Sequence, residues 1–155
     1  MLEASTPLSK KDKILKLRFP ISWILSCITM FGLFYVWHGV LLNDISHITY
    51  PKNIFFLSAL LVYIIIAFVL NLLFMSKIAT DYIEGIITRG FVCGIALGII
   101  IFLITMVVGV SFSTQLNLRN ILFDFSWQCA EQGVAGIIVG SVYAYFKYSL
   151  RLERN

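Results

Sequence analysis

Charge is scarce in this chain. Charged residues fill 13% of its 155 positions, against 59% hydrophobic. A soluble globular domain carries roughly 25% charged and 45–50% apolar residues, so a water-facing surface of ordinary area has too few charges here. The three prolines and the lack of any Pro- or Ser-rich stretch leave no linker, and one domain is expected. The cysteines are odd in number and lie apart as Cys27, Cys93 and Cys129, without CxxC spacing. That excludes a disulfide framework or thiolate metal site and leaves buried reduced thiols. Histidine occurs twice, at His38 and His47. A haem held by two histidines needs both on facing segments, and His47 falls in a link, so only two His38 residues from a dimer meet that requirement. No nucleophile–base arrangement, phosphate loop or acid–base pair occurs, so no catalytic residue and no cofactor is expected.

What the chain has instead is four long apolar runs, at about residues 20–42, 54–75, 91–112 and 121–146. Each meets the roughly 20 residues needed to cross a hydrocarbon core of about 30 Å. Backbone groups in lipid must be satisfied internally, and continuous apolar runs do this as helices, whereas barrel strands alternate. The expected fold is all-α: an integral membrane four-helix antiparallel bundle over residues 20–146, between a basic segment 1–19 and a basic tail 147–155.

The basic residues set the orientation. Lys10, Lys11, Lys13, Lys16 and Arg18 precede the first run, Lys77 and Arg89 lie between the second and third, and Lys147, Arg151 and Arg154 follow the fourth. The two other links hold only Lys52 and Arg119. By the positive-inside rule both termini lie in the cytoplasm. The net charge of +4 follows from this bias, and no nucleic-acid partner is needed to explain it. The first run is too long for a cleaved signal and lacks a small-residue cleavage site. Met1–Leu8 reads as a disordered tail. Ser9 with Asp12 can cap a short basic helix that lies on the headgroup surface.

The link from Lys77 to Arg89 has apolar residues at helical spacing, which predicts an interfacial helix or an extension of the third span. Asp81 and Glu84 share a face there and read as solvated, with a cation site as the lesser reading. In the third run Gly90, Gly94 and Gly98 recur every four residues, and in the fourth Gly136, Gly140 and Ala144 do the same. Such stripes let helix backbones approach closely. Because the two runs are antiparallel, both stripes fall in the cytoplasmic half and are placed to pack on each other. An oligomer interface is the alternative. Tyr143, Tyr145 and Tyr148 around Lys147 form an aromatic belt that anchors the last helix.

The remaining polar residues gather in the outer half. The end of the first run supplies Tyr35, Trp37 and His38. The fourth supplies Asp124, Trp127, Gln128, Glu131 and Gln132, with Asp124, Gln128 and Glu131 at i, i+4, i+7 on one helix face. Counted from the outer boundary, His38 lies about five residues deep and Glu131 about ten, or roughly 6–8 Å against about 15 Å. An ionisable group inside a span costs roughly 2.5–3.5 kcal/mol on insertion scales, so it faces a partner or a wet cavity. Desolvation disfavours a charged carboxylate, so Glu131 can take up and release a proton with a substrate. The alternative is a structural hydrogen bond to Tyr35, His38 or a carbonyl. His38 with Glu131 supplies two ligands, too few for a zinc site.

The run Trp37-His-Gly-Val-Leu-Leu-Asn-Asp44, a tyrosine in the second span, a glycine-striped third and the fourth with Asp124, Gly133, Gly136 and Gly140 together resemble small four-span bacterial inner-membrane proteins, a group with no assigned activity. The resemblance covers about residues 20–146 and implies the cytoplasmic membrane of a bacterium and the same bundle, with no site residues to carry over. The chain lacks the ERxxxN-type signature of glutathione-handling membrane enzymes, and its first span lacks the glutamate of small multidrug exporters. The expected role is a non-enzymatic membrane protein, an oligomer or accessory subunit whose partners are the lipid bilayer and other membrane proteins. The alternatives are a small proton-linked transporter using Glu131 and His38, and a haem- or quinone-binding subunit.

Overall fold

The computed structural model describes residues 10–49, 51–112 and 117–152, with side chains described over 16–43, 45–49, 51–108 and 117–150. The expected tail at 1–8, the Ser9 cap and Arg154 lie outside the described residues. Every regular element among them is helical: α1 (Lys10–Phe34), α2 (Lys52–Met75), α3 (Lys77–Tyr82), α4 (Ile86–Phe112) and α5 (Leu118–Leu152). Three helical stretches, Lys16–Leu41, Lys52–Met75 and Ile86–Val108, are long and apolar enough to cross a membrane. The 35-residue α5 has the length, but Asp124, Gln128, Glu131 and Gln132 dilute its apolar character.

The basic segment before Pro20 and the first apolar run are one helix rather than two. Pro20 sits inside α1. It removes one backbone donor, leaving the carbonyl one turn earlier, at the exposed Lys16, to find another partner. Past Phe34 the helix widens into a π-helical segment, Tyr35–Leu41, closed by the Leu42 N–H on the Trp37 carbonyl at 2.9 Å. Asn43 then takes a left-handed conformation (φ 55°), one that asparagine tolerates better than most residues, and a 3₁₀ turn, Asp44–His47, leads toward α2. On the other side, the link after α2 forms a short helix of its own. Ser76 caps α3 by accepting the Ala79 N–H at 3.2 Å, and the chain breaks at Ile83 before α4 begins. Asp81 and Glu84 are both exposed.

Two kinds of packing hold the helices. Along α4 and α5 the contact is backbone on backbone. A Cβ added at Gly90 or Gly94 would run into the carbonyl of Gly136 or Gln132, one at Gly98 would lie 2.8 Å from the Gln128 carbonyl, and one at Gly140 would lie 2.7 Å from the Ile86 carbonyl. The partner residues fall as the α4 numbers rise, so the two helices are antiparallel. Ala144, last in the stripe, is half-buried. Between α1 and α2 the contact is aromatic and polar. Asn71, fully buried, donates to the Ala67 carbonyl at 2.9 Å and to Ser26 Oγ at 3.5 Å, and its Oδ1 accepts from Ser22 Oγ. Trp23 Nε1 donates to the Ile64 carbonyl at 2.9 Å.

α5 is the hub: it lies against α4 along one side and α1 along another, while α2 pairs with α1 and touches α4 and α5. Met30, Ala67, Leu70, Ala135 and Val139 are fully buried between them. Around the outside Ile28, Leu57, Leu61, Ile104 and Val107 are exposed. A helix apolar all round, with its outer face uncovered, is what a hydrocarbon surrounding selects.

Candidate functional site

The N-terminal half of α5 turns its polar stripe gradually into the protein. Asp124 is exposed, Gln128 is half-buried, Glu131 is 2% exposed and Gln132 is fully buried. Glu131 lies one turn inward of Trp127 on the same helix face. Its carboxyl faces the Tyr63 hydroxyl of α2 and the Trp127 indole. Neither Trp127 Nε1 nor Glu131 Oε1 completes a hydrogen bond among the described residues, and Gln132 completes none through either Nε2 or Oε1. Four buried polar atoms within six residues are thus left without partners, whereas more than nine in ten such atoms in proteins have one.

The π-helical segment brings α1 to this place. Trp37 stacks on Trp127, ring centroids 4.2 Å apart and planes within 8°. His38 is half-buried, its ring 5.1 Å from that of Phe34. Phe34 in turn contacts Tyr63 at 5.5 Å. An apolar and aromatic wall therefore connects the histidine to the tyrosine that faces Glu131. Tyr35 is placed elsewhere. It is 50% exposed on the outer side of α1, against Phe56 at 6.2 Å. Tyr35 follows the exposed Ile28 by seven residues and so falls on the same uncovered side of the helix.

Of the eight residues expected to share a pocket, the structure brings Trp37, Trp127, Glu131 and Gln132 together, keeps His38 and Gln128 at the margin, and leaves Tyr35 and Asp124 at the surface. Tyr63 takes the place expected of Tyr35. It sits midway along α2, and a tyrosine hydroxyl in the apolar stretch between Ser58 and Asn71 is the signal the sequence offers. The Ser22–Ser26–Asn71 cluster is a second buried polar group, and unlike the first it is satisfied within the protein.

A carboxyl in this setting has three possible chemical states: protonated and neutral, ionised against a cation, or hydrogen-bonded to Tyr63 or Trp127 after a small rearrangement. The indoles of Trp37 and Trp127 cover one face each by stacking, and an aromatic face not so covered favours a cation or a planar group. Comparison with protein-family models, with curated proteins and with solved structures finds no match to this chain, so the chemistry of the site alone carries its functional interpretation.

Proposed function

We propose that the chain is a four-span antiparallel bundle of a bacterial cytoplasmic membrane, with both termini inside, and that it is a small proton-linked transporter of cationic amphipathic compounds in which Glu131 carries the proton. The membrane reading draws on the three long apolar helices and their uncovered outer faces, with α5 as the fourth, polar span. The transport reading rests on one observation: Glu131 and Gln132 are buried with polar atoms unpartnered. A carboxyl kept for structure alone would be fully hydrogen-bonded, as Asn71 is. One with an oxygen left unpartnered at this depth is costly and fits a group that binds something that comes and goes.

In this scheme Glu131 is neutral while the site is dry and gives up its proton when a cation enters, so that one positive charge replaces another. Tyr63 and Trp127 supply donors to the ionised form, and the Trp37–Trp127 stack covers the outer side. The test is reconstitution into proteoliposomes on a solid-supported membrane, with the dication methyl viologen as the probe, whose exchange for one proton moves net charge. Wild type gives a proton-coupled current, and Glu131→Gln abolishes it while remaining inserted. A current undiminished in Glu131→Gln would sink the assignment.

The second reading, an oligomer or accessory subunit of a membrane complex without enzymatic activity, has its own support. An open groove of about 460 Å³ on the outer end of α5, lined by Leu118, Leu122, Phe123, Arg119 and Ser126, offers a surface another protein can fill. Native mass spectra in a mild detergent separate the two: a fixed complex with other polypeptides favours the subunit, and a monomer or homo-oligomer favours the transporter.

A further inference from the structure

At the end of the bundle opposite the Trp37–Trp127 stack, each of the four long helices contributes one residue to a single cluster. Phe74 of α2 and Tyr143 of α5 are buried with ring centroids 4.7 Å apart. The Arg18 guanidinium of α1 lies over the Tyr143 ring at 5.1 Å, and the Arg89 guanidinium of α4 lies over the Phe74 ring at 5.4 Å. Tyr143 is fixed by its hydroxyl, which donates to Met75 Sδ at 3.0 Å. Arg89 is fixed by its Nε–H, which donates to the Ile83 carbonyl at 3.2 Å. Two cations thus flank one pair of rings, both half-buried. Among the described residues no carboxylate joins them, and the nearby Asp81 and Glu84 are exposed.

We infer that Arg18 and Arg89 form a binding site for the phosphate of an anionic phospholipid at the basic face of the membrane. Stacking on a ring occupies the flat face of a guanidinium and leaves its in-plane N–H groups free. Arg89 keeps four such donors on its two Nη atoms, and among the described residues none of the five of Arg18 is taken. Planar forks of this kind match the oxygens of a phosphate, which a lysine contacts only as a point charge. Neither guanidinium has a carboxylate joined to it among the described residues, and an anion that accepts from both offsets their charge. Both residues lie where the apolar stretches of α1 and α4 begin, Lys16–Leu41 and Ile86–Val108, and so at headgroup level. Exposed Lys16 and Lys77 belong to the same end and attract acidic headgroups.

The inference depends on the membrane reading but not on any role for Glu131. Resistance of the protein to carbonate extraction tests that reading on its own. The site is tested by thermal denaturation in detergent with phosphatidylglycerol, phosphatidylcholine or inorganic phosphate added. Phosphatidylglycerol is expected to raise the midpoint in wild type and in the control Lys52→Gln. Arg18→Gln and Arg89→Gln should each weaken that response about tenfold. Equal shifts with phosphatidylcholine, a shift reproduced by inorganic phosphate, or a response untouched in the double variant would each overturn the site. Should a glutamine variant fail to insert, Arg18→Lys and Arg89→Lys keep the charge and remove the fork, and retained tight binding in both would also overturn it. Native mass spectra of wild type should show one phosphatidylglycerol surviving activation that strips phosphatidylcholine.

Discussion

Gly94 of α4 lies directly on the backbone of Gln132, so near its carbonyl that no side chain fits between them. The glycine seam and the polar site therefore share one stretch of α5. α4 pins the backbone that carries Glu131 and Gln132, and Gln132 falls on the same four-residue line as Gly136 and Gly140. Helix packing and site geometry are coupled through this contact.

Gly94→Leu should accordingly disturb both. The backbone clash exceeds the 1–3 kcal/mol typical of overpacking a core, and α5 must move outward from α4. The expected result is loss of the folded protein from membranes, or a looser fold in which the fully buried position of Ala135 opens to water. Combining the change with Ala135→Cys reports that opening, through labelling of the new thiol by a water-soluble maleimide. Wild-type yield together with an unlabelled thiol at that position would show that the seam is not tight.

Glu131→Leu should stabilise the protein while abolishing transport. A buried polar atom left unsatisfied costs about 1–3 kcal/mol, so an apolar residue of similar volume is expected to be neutral or to gain up to about that much, and thermal unfolding in detergent measures it. A loss of stability would mean that the carboxyl makes a structural bond, and the transport assignment would lose its basis.

Tyr63→Phe separates the tyrosine's two contributions. The ring packs against Phe34 and Phe31, at 5.5 and 6.3 Å, and phenylalanine preserves that packing. Stability should change by less than about 1 kcal/mol. The current carried through Glu131 should fall at least several-fold, since the hydroxyl facing the carboxyl is gone. An unchanged current would remove Tyr63 from the site.

Asn71→Ala probes the satisfied cluster. Interhelical hydrogen bonds in membranes are worth about 0.6 kcal/mol on average and at most about 1.7. Ser22 and Ser26 keep their own-helix acceptors, the Phe19 and Trp23 carbonyls at 2.9 and 3.0 Å. A loss of roughly 1–2 kcal/mol in thermal stability is expected, without effect on the current. Loss of the current at full stability would place Asn71 in the transport path instead.

The spans are legible in the sequence because length and hydropathy are one-dimensional: the runs at 20–42, 54–75 and 91–112 fall on the Lys16–Leu41, Lys52–Met75 and Ile86–Val108 stretches within a few residues. The glycine spacing is legible for the same reason, since a four-residue interval marks one face of a helix. What the sequence hides depends on the rotation of each helix about its axis. An α-helical rise sets Tyr35 level with Glu131, but depth is not direction: Tyr35 shares a face with the exposed Ile28, and Tyr63 holds the place instead. Ser22 and Ser26 are minor interruptions of an apolar run until Asn71 of a different helix is set against them. Arg18 and Tyr143 read as separate anchors, and only the convergence of four helices makes them neighbours.

The π-helical segment at Tyr35–Leu41 also bears on how this chain can change its length. A π-turn holds one residue more than the α-turn it replaces. Deleting one residue there lets the segment rewind as α-helix with the faces before and after it kept in register. The same deletion within α2 or α4 turns everything beyond it by about 100°, exchanging lipid-facing for buried positions. The segment after Phe34 is thus a place where the protein can lose a residue and keep its fold, while the Trp37–Trp127 stack beside the bulge is lost.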